Sequence, residues 1–172
     1  MDKKQKKILL TLAGLGLLYF VLFIFPNLRG AQDANMLSVF EVDEYAQYPH
    51  VIGMLTPGAT LYQTVRNFLI YLHYFYGYPF YFLSALAIAP IKHIYGAGWT
   101  SRTALIVADL RQVINVLPVI LAALLLVYIN TRLRRWALSI GLFLLLLLLP
   151  AVVVNDLWWH PDSLGVLFVA LA

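Results

Sequence analysis

Apolar and polar positions divide the chain into long uncharged runs separated by charged or aromatic stretches. The first run, Ile8 to Phe25, approaches the ~20 apolar residues that a helix needs to cross a hydrocarbon core. It exceeds the ~7–15-residue core of a cleaved signal peptide, so it reads as an uncleaved anchor that ends at Pro26 and Asn27. Val113 to Ile129 and Ala137 to Val154 are two further runs of this kind. The predicted spans are therefore about 8–25, 112–130 and 137–154, with the start of another at Ser163. Only nine residues follow Ser163, fewer than a span needs, and the expectation is an N-terminal part of a longer protein.

Phe68 to Tyr95 fits the pattern less simply. Eight aromatics fall between Tyr71 and Phe82, interrupted by "YGYP" at residues 76–79. Gly77 and Pro79 suit a bend, and a tyrosine-rich composition belongs to the headgroup layer more than to the hydrocarbon centre. Charge decides between a span and a hairpin. "KKQKK" precedes the first run and "NTRLRRW" separates the second from the third. Both basic clusters lie on the cytoplasmic side only if residues 68–95 form a re-entrant or interfacial hairpin. Residues 26–111 then form an outer loop and juxtamembrane region, and "EVDE" and "NDLWWHPD" share the outer side.

These elements predict an all-α fold: polytopic membrane helices with an outer loop that carries juxtamembrane helices, in a single membrane domain over 1–172. Composition agrees, with 62% hydrophobic residues and a mean hydropathy of +0.82. The net charge of +4 comes largely from the two basic clusters, so it reads as topology and not as nucleic-acid binding. No cysteine is present, which excludes disulfides, thiolate metal sites and cysteine nucleophiles. No span carries a series of buried charges, which argues against a channel or pump.

Three of the eight acids, Glu41, Asp43 and Glu44, fall within four positions just after the first span. Two geometries are open. An extended backbone puts Glu41 and Asp43 on one side, as in an E-x-D metal site. A helix from about Asp43 instead aligns Glu41 with Glu44 and Asp43 with Gln47 and His50, with Pro49 keeping it short or starting the next element. An exposed acidic loop is the plainer alternative. Asp156, His160 and Asp162 form a second polar group, which reads either as a turn capping the next helix or as a second half of one site. His73 reads as an interfacial hydrogen bonder and Lys92 as an interfacial anchor. His50 and His93 carry no separate role.

The order of these features resembles the GT-C superfamily of membrane glycosyltransferases, in particular the protein-O-mannosyltransferase and aminoarabinose-transferase-like group. The resemblance covers essentially the whole chain through short, degenerate motifs. A basic N-terminus and one span lead into "VDEYAQYPHV", where Asp43, Glu44 and Tyr45 match the family's acidic pair and following aromatic. "GYPFYFLSAL" resembles its Pro-aromatic segment, with the single Pro79 where a pair is common. "LRQVINVLPVILAALLLVYINTRLRR" resembles the arginine-led span, and "NDLWWHPDSLGVLF" fills the place of the polar stretch that returns at the outer face.

The resemblance implies an inverting transfer of a sugar from a polyprenyl-phosphate donor to an acceptor hydroxyl, with Asp43 as base and Glu44 as its partner or substitute. Arg111 and Arg102 are candidates to balance the leaving phosphate, and interfacial snorkelling is their plainer role. His160, Asp162 and Asp156 are candidates to contact sugar or phosphate. No cofactor is required, although a divalent metal such as Mg or Mn at Glu41 and Asp43 is compatible. The expected partners are the lipid bilayer and the lipid-linked sugar. The expected location is the plasma (inner) membrane, multi-pass, with the N-terminus cytoplasmic and the site loops outside. The alternative function is a non-catalytic membrane subunit or scaffold of a larger complex, in which the acids form a docking loop.

Overall fold

A computed structural model describes every residue except Tyr71, and every side chain except those of Ala34 and Tyr71. Tyr71, the first of the aromatic run, therefore lies outside the described residues. All regular structure among them is helical, so the fold is all-α.

Helix α1 (Lys3–Asn27) starts on a capping box: Gln5 N donates to Asp2 Oδ1 at 2.7 Å, and Asp2 N to Gln5 Oε1 at 2.8 Å. Its buried positions are Ile8, Leu12, Gly16, Tyr19, Phe23 and Asn27, one stripe at spacings of three and four. The remaining faces are apolar and exposed, as at Leu10, Leu17, Leu22 and Phe25. A helix apolar on all sides but packed on one has a surface suited to lipid.

Four helices then gather at the C-terminal end of α1: α2 (Ala34–Phe40), α3 (Val42–Leu55), α4 (Leu61–Leu69) and α5 (Gly77–Tyr95). Asp33 caps α2 by accepting from Asn35 N and Met36 N, and Thr60 caps α4 by accepting from Gln63 N. Gly77, with φ +74°, opens α5 where an L side chain would be strained. Helix α3 passes through Pro49 to Leu55, so the expected short helix is corrected. Pro49 and Tyr45 are on the exposed face, where the Tyr45 carbonyl freed by the missing N–H can meet water.

After a 3₁₀ turn at Gly96–Ser101 come α6 (Thr103–Leu110), a π-helical segment (Arg111–Val116) and α7 (Leu117–Thr131). These three run as one helix of 29 residues, about 43 Å long. It begins nine residues before the predicted 112. Then follow α8 (Trp136–Leu147), α9 (Pro150–Asn155) and α10 (Asp162–Leu171). The predicted third span is thus two helices, parted where Leu149 turns extended (ψ 129°) ahead of Pro150. Helices α1 and α6–α7 are long and apolar enough to cross a membrane, whereas α8 and α10 are shorter apolar helices.

Long-range hydrogen bonds order the two ends. Gln5 Nε2 donates to the Arg132 carbonyl at 2.9 Å, and Arg111 Nη1 donates to the Asn27 carbonyl at 2.9 Å. Helix α1 is therefore antiparallel to α6–α7. Both basic clusters lie at one end of the bundle, and the "EVDE" acids lie at the other. One core joins α1, α7 and α8 through Leu12, Phe23, Ile120, Val127 and Phe143. A second joins α3, α5, α6 and the loop before α10 through Met54, Phe80, Tyr81, Leu110 and Trp159.

Candidate functional site at the acidic end of the bundle

Helix α3 begins inside the acidic cluster, so the helical alignment of the two open geometries is the one formed. Successive side chains then leave the axis about 100° apart. Glu44 turns inward and is fully buried, whereas Asp43 is exposed. Glu41 lies at the junction of α2 and α3 and is partly exposed. Burial first, and then the Glu44 carboxylate, push Glu41 above the usual carboxylate range, while Arg111 opposes them.

Glu44 meets Arg111 in a bidentate pair: Nε donates to Oε1 at 2.8 Å and Nη2 to Oε2 at 2.5 Å. Arg111 is 1% exposed, and its Nη1 also donates to the carbonyls of Asn27 and Arg29. Glu44 Oε1 further accepts from the backbone N–H of Trp159. Trp159 is itself buried, and its Nε1 donates to Ser84 Oγ at 3.0 Å. One buried ion pair thus ties together the end of α1, the start of α3, the π segment and the loop before α10.

That loop brings His160 and Asp162 to the same end as Asp43. His160 Nδ1 lies 3.1 Å from Asp162 Oδ1, and its ring stacks on Trp158 at 4.6 Å. The Tyr76 ring meets His160 edge-on at 4.9 Å. Burial first, then Asp43 and Asp162, push the Tyr76 hydroxyl up from its ordinary value, so both carboxylates act on this phenol. Asn115 in the π segment accepts from His160 N at 3.3 Å and donates to the Asn155 carbonyl at 3.4 Å. Asn155 Nδ2 donates to Ser163 Oγ at 2.7 Å. These bonds hold the loop on the long helix.

Of the residues singled out in the sequence, His160 and Asp162 meet at Tyr76, and Asp43 is exposed at the same end, one position from Glu44. Glu44 and Arg111 converge below them, engaged with each other. Asp156 is elsewhere: it is buried and accepts from Tyr19 Oη at 2.9 Å. Arg102 is exposed with its guanidinium 4.9 Å from the Tyr95 ring centroid, roughly 13 Å along the helix from Arg111. Glu41 and Asp43 supply two carboxylates on different sides of the first turn of α3. A hard divalent cation takes at least six oxygens, and among the described residues no group of three His, Asp or Glu could hold one.

Tyr76, Trp159 and Asn115 belong to the site without having been named as site residues from the sequence; Trp159, which with Trp158 suits a membrane–water interface by residue type, is instead fully buried. Tyr76 is one tyrosine in an aromatic run, and only its position before the Gly77 turn distinguishes it. His73 accepts or donates at Nδ1 with Tyr81 Oη, and its ring stacks on His50 at 5.0 Å. Lys92 Nζ donates to the Leu55 carbonyl at 2.6 Å. These last contacts brace α5 against α3.

Two spaces adjoin the cluster. An apolar cavity of about 390 Å³ runs between α7, α8, α9 and α10, lined by Val119, Ala122, Leu126 and Val152, and it reaches Asp162 and Ser163. A second cleft of about 460 Å³ is bordered by Arg29, Phe40, Glu41, Arg111 and Leu157. Chemically, the arrangement offers an exposed carboxylate, a histidine beside a second carboxylate and a phenol, next to a space for an apolar chain. Comparison with family models, curated proteins and solved structures gives no match.

Proposed function

We propose that the protein is an integral membrane glycosyltransferase that takes a sugar from a polyprenyl-phosphate donor at the outer face of the plasma (inner) membrane. The observation that carries this reading is the meeting of the Tyr76–His160–Asp162 cluster with an apolar cavity at Asp162, with Asp43 exposed at the same end beside Glu44, whose carboxylate accepts from Trp159 N. A lipid-linked phosphosugar has these two halves, a polar head and an apolar chain. In this reading α1 and the 103–131 helix cross the bilayer with the N-terminus cytoplasmic, and α8 to α10 complete the membrane layer. The 29-residue helix is longer than a ~30 Å hydrocarbon core requires, and its first residues stand above the outer boundary with the acidic cluster.

Asp43 accepts the proton of the acceptor hydroxyl while that oxygen bonds to the anomeric carbon. The bond from the anomeric carbon to the phosphate oxygen breaks from the opposite face, so the configuration inverts and the lipid phosphate leaves with the bonding pair. His160, whose backbone N–H is held by Asn115 and whose ring lies beside Asp162, supplies positive charge to the leaving phosphate when protonated. Arg111 acts through position, because its donors are committed to Glu44 and two carbonyls.

The test is transfer from a polyprenyl-phosphate sugar by the full-length protein in nanodiscs. Asp43→Asn keeps the size of the side chain but removes the base, and transfer should fall by on the order of 10²–10⁴-fold with folding unchanged. Activity within a few-fold of the parent overturns the role of Asp43. The mutual satisfaction of Glu44 and Arg111 favours one second reading, a non-catalytic subunit whose acids hold a docking surface. Under that reading no variant transfers sugar and Asp43→Asn alters only partner binding.

A further inference from the structure

We infer that the basic end of the bundle is a binding site for an anionic phospholipid, with the headgroup on the lysine–arginine cluster and an acyl chain in the adjoining groove. Four lysines between Lys3 and Lys7 and the three arginines Arg132, Arg134 and Arg135 are exposed. The Gln5–Arg132 hydrogen bond brings the two groups to one end. The nearby acid, Asp2, is committed as the cap of α1. Among the described residues, none of the seven cations pairs with a carboxylate. Such a surface attracts anions from within a Debye length.

The cations are held in place. Arg132 and Leu133 both take left-handed backbone, φ +49° and +54°, which non-glycine residues adopt only where their surroundings dictate it. Here Leu133 N donates to Thr131 Oγ1 at 3.1 Å, Thr131 and Ser139 bond at 2.9 Å, and the Leu133 side chain is 1% exposed in the core. The turn therefore points Arg134 and Arg135 outward on a fixed frame. Arg132 also lies 5.7 Å from the ring centroid of Tyr128, and Trp136 is exposed beside it. Aromatics with cations mark headgroup depth.

Directly against this cluster is an apolar groove of about 490 Å³, lined by Leu9, Leu121, Leu125, Tyr128, Leu133 and Leu167. Charge above and an apolar slot below match an anionic headgroup and its chain, and do not match a free phosphate. The inference rests on the proposed membrane placement but not on sugar transfer, since the acidic cluster is at the opposite end.

The experiment compares thermal unfolding of the full-length protein in nanodiscs of phosphatidylcholine alone and of equal parts phosphatidylcholine and phosphatidylglycerol. Phosphatidylglycerol should raise the midpoint, and added salt should remove the rise. Retention of phosphatidylglycerol after detergent extraction, read by native mass spectrometry, should weaken about fivefold for each cation removed in Arg132→Gln and Arg134→Gln. Leu125→Trp fills the groove while leaving every charge in place, and it should also lose retention. Equal midpoints in the two nanodiscs overturn the inference, as does undiminished retention in all three variants. The outer cluster is untouched throughout, so these failures leave the transfer reading standing, whereas a parent protein absent from the membrane fraction overturns both.

Discussion

Glu44→Gln keeps the size of the side chain but leaves Arg111 as an uncompensated charge in a buried site. Breaking such a pair from one side costs about 3–5 kcal/mol, whereas replacing both partners by uncharged groups recovers much of that cost. Thermal unfolding in detergent should therefore show Glu44→Gln strongly destabilised and Glu44→Gln with Arg111→Met less so. A single variant as stable as the parent would remove the ion pair as the tie between α3 and the Trp159 loop. Single-residue facts of this kind were only half legible in the sequence. "EVDE" announces a cluster, but whether Asp43 or Glu44 faces water depends on a 100° step that only the helix register sets. The distance from Glu44 to Arg111 spans 67 positions and has no local signal.

Elements were more legible than side chains, because apolar runs follow from composition over many residues. The first run became α1, which begins five residues before Ile8 and continues through Pro26 to Asn27. The second was underestimated at its start, since Asp109 and Arg111 interrupt the uncharged pattern although the helix continues through them by a π-helical widening. The third was overestimated in continuity, since leucines before Pro150 and valines after it mask the break. The aromatic stretch gave a turn at Gly77 and a 19-residue helix, α5, that packs on α3 and α6. Glycine provides the element-scale prediction. A Cβ at Gly16 would stand 2.7 Å from Ile120 Cγ2 and 3.5 Å from Phe143 Cζ, at the contact of α1 with α7 and α8. A Cβ at Gly14, two residues earlier, meets nothing within 4 Å. Gly16→Val should therefore destabilise by about 1–3 kcal/mol through overpacking. Gly14→Val should change the unfolding midpoint little, because its side chain enters the open apolar face. Equal effects at the two positions would show that α1 does not pack on α7 through its glycine.

At the scale of the whole molecule, the two ends of the bundle have opposite chemistry, and membrane orientation is the property that follows. Gln5 bonded to Arg132 and Asn27 bonded to Arg111 fix which groups share an end, whatever surrounds the protein. A bilayer around α1 and the 103–131 helix then separates the lysine–arginine end from the Asp43–Asp162 end. Under the proposed function, the excess of cations places the first end in the cytoplasm. Helix α5, with Pro79, Pro90, Lys92 and three tyrosines, is 19 residues long but is not among the helices long and apolar enough to cross a membrane, and it packs on α3, α6 and the π segment. If it crossed instead, the chain would change sides once more and Arg134 would be exposed opposite Lys4. A chain without cysteine allows a direct decision. Single cysteines at positions 4, 43, 134 and 162, all exposed in the fold, can be labelled in intact cells with a reagent that does not cross the bilayer. Positions 43 and 162 should react from outside, and positions 4 and 134 only after the membrane is opened. Labelling of 43 and 162 from opposite sides would require α5 or α8–α9 to cross differently, and it would separate the carboxylates that the proposed transfer needs in one place.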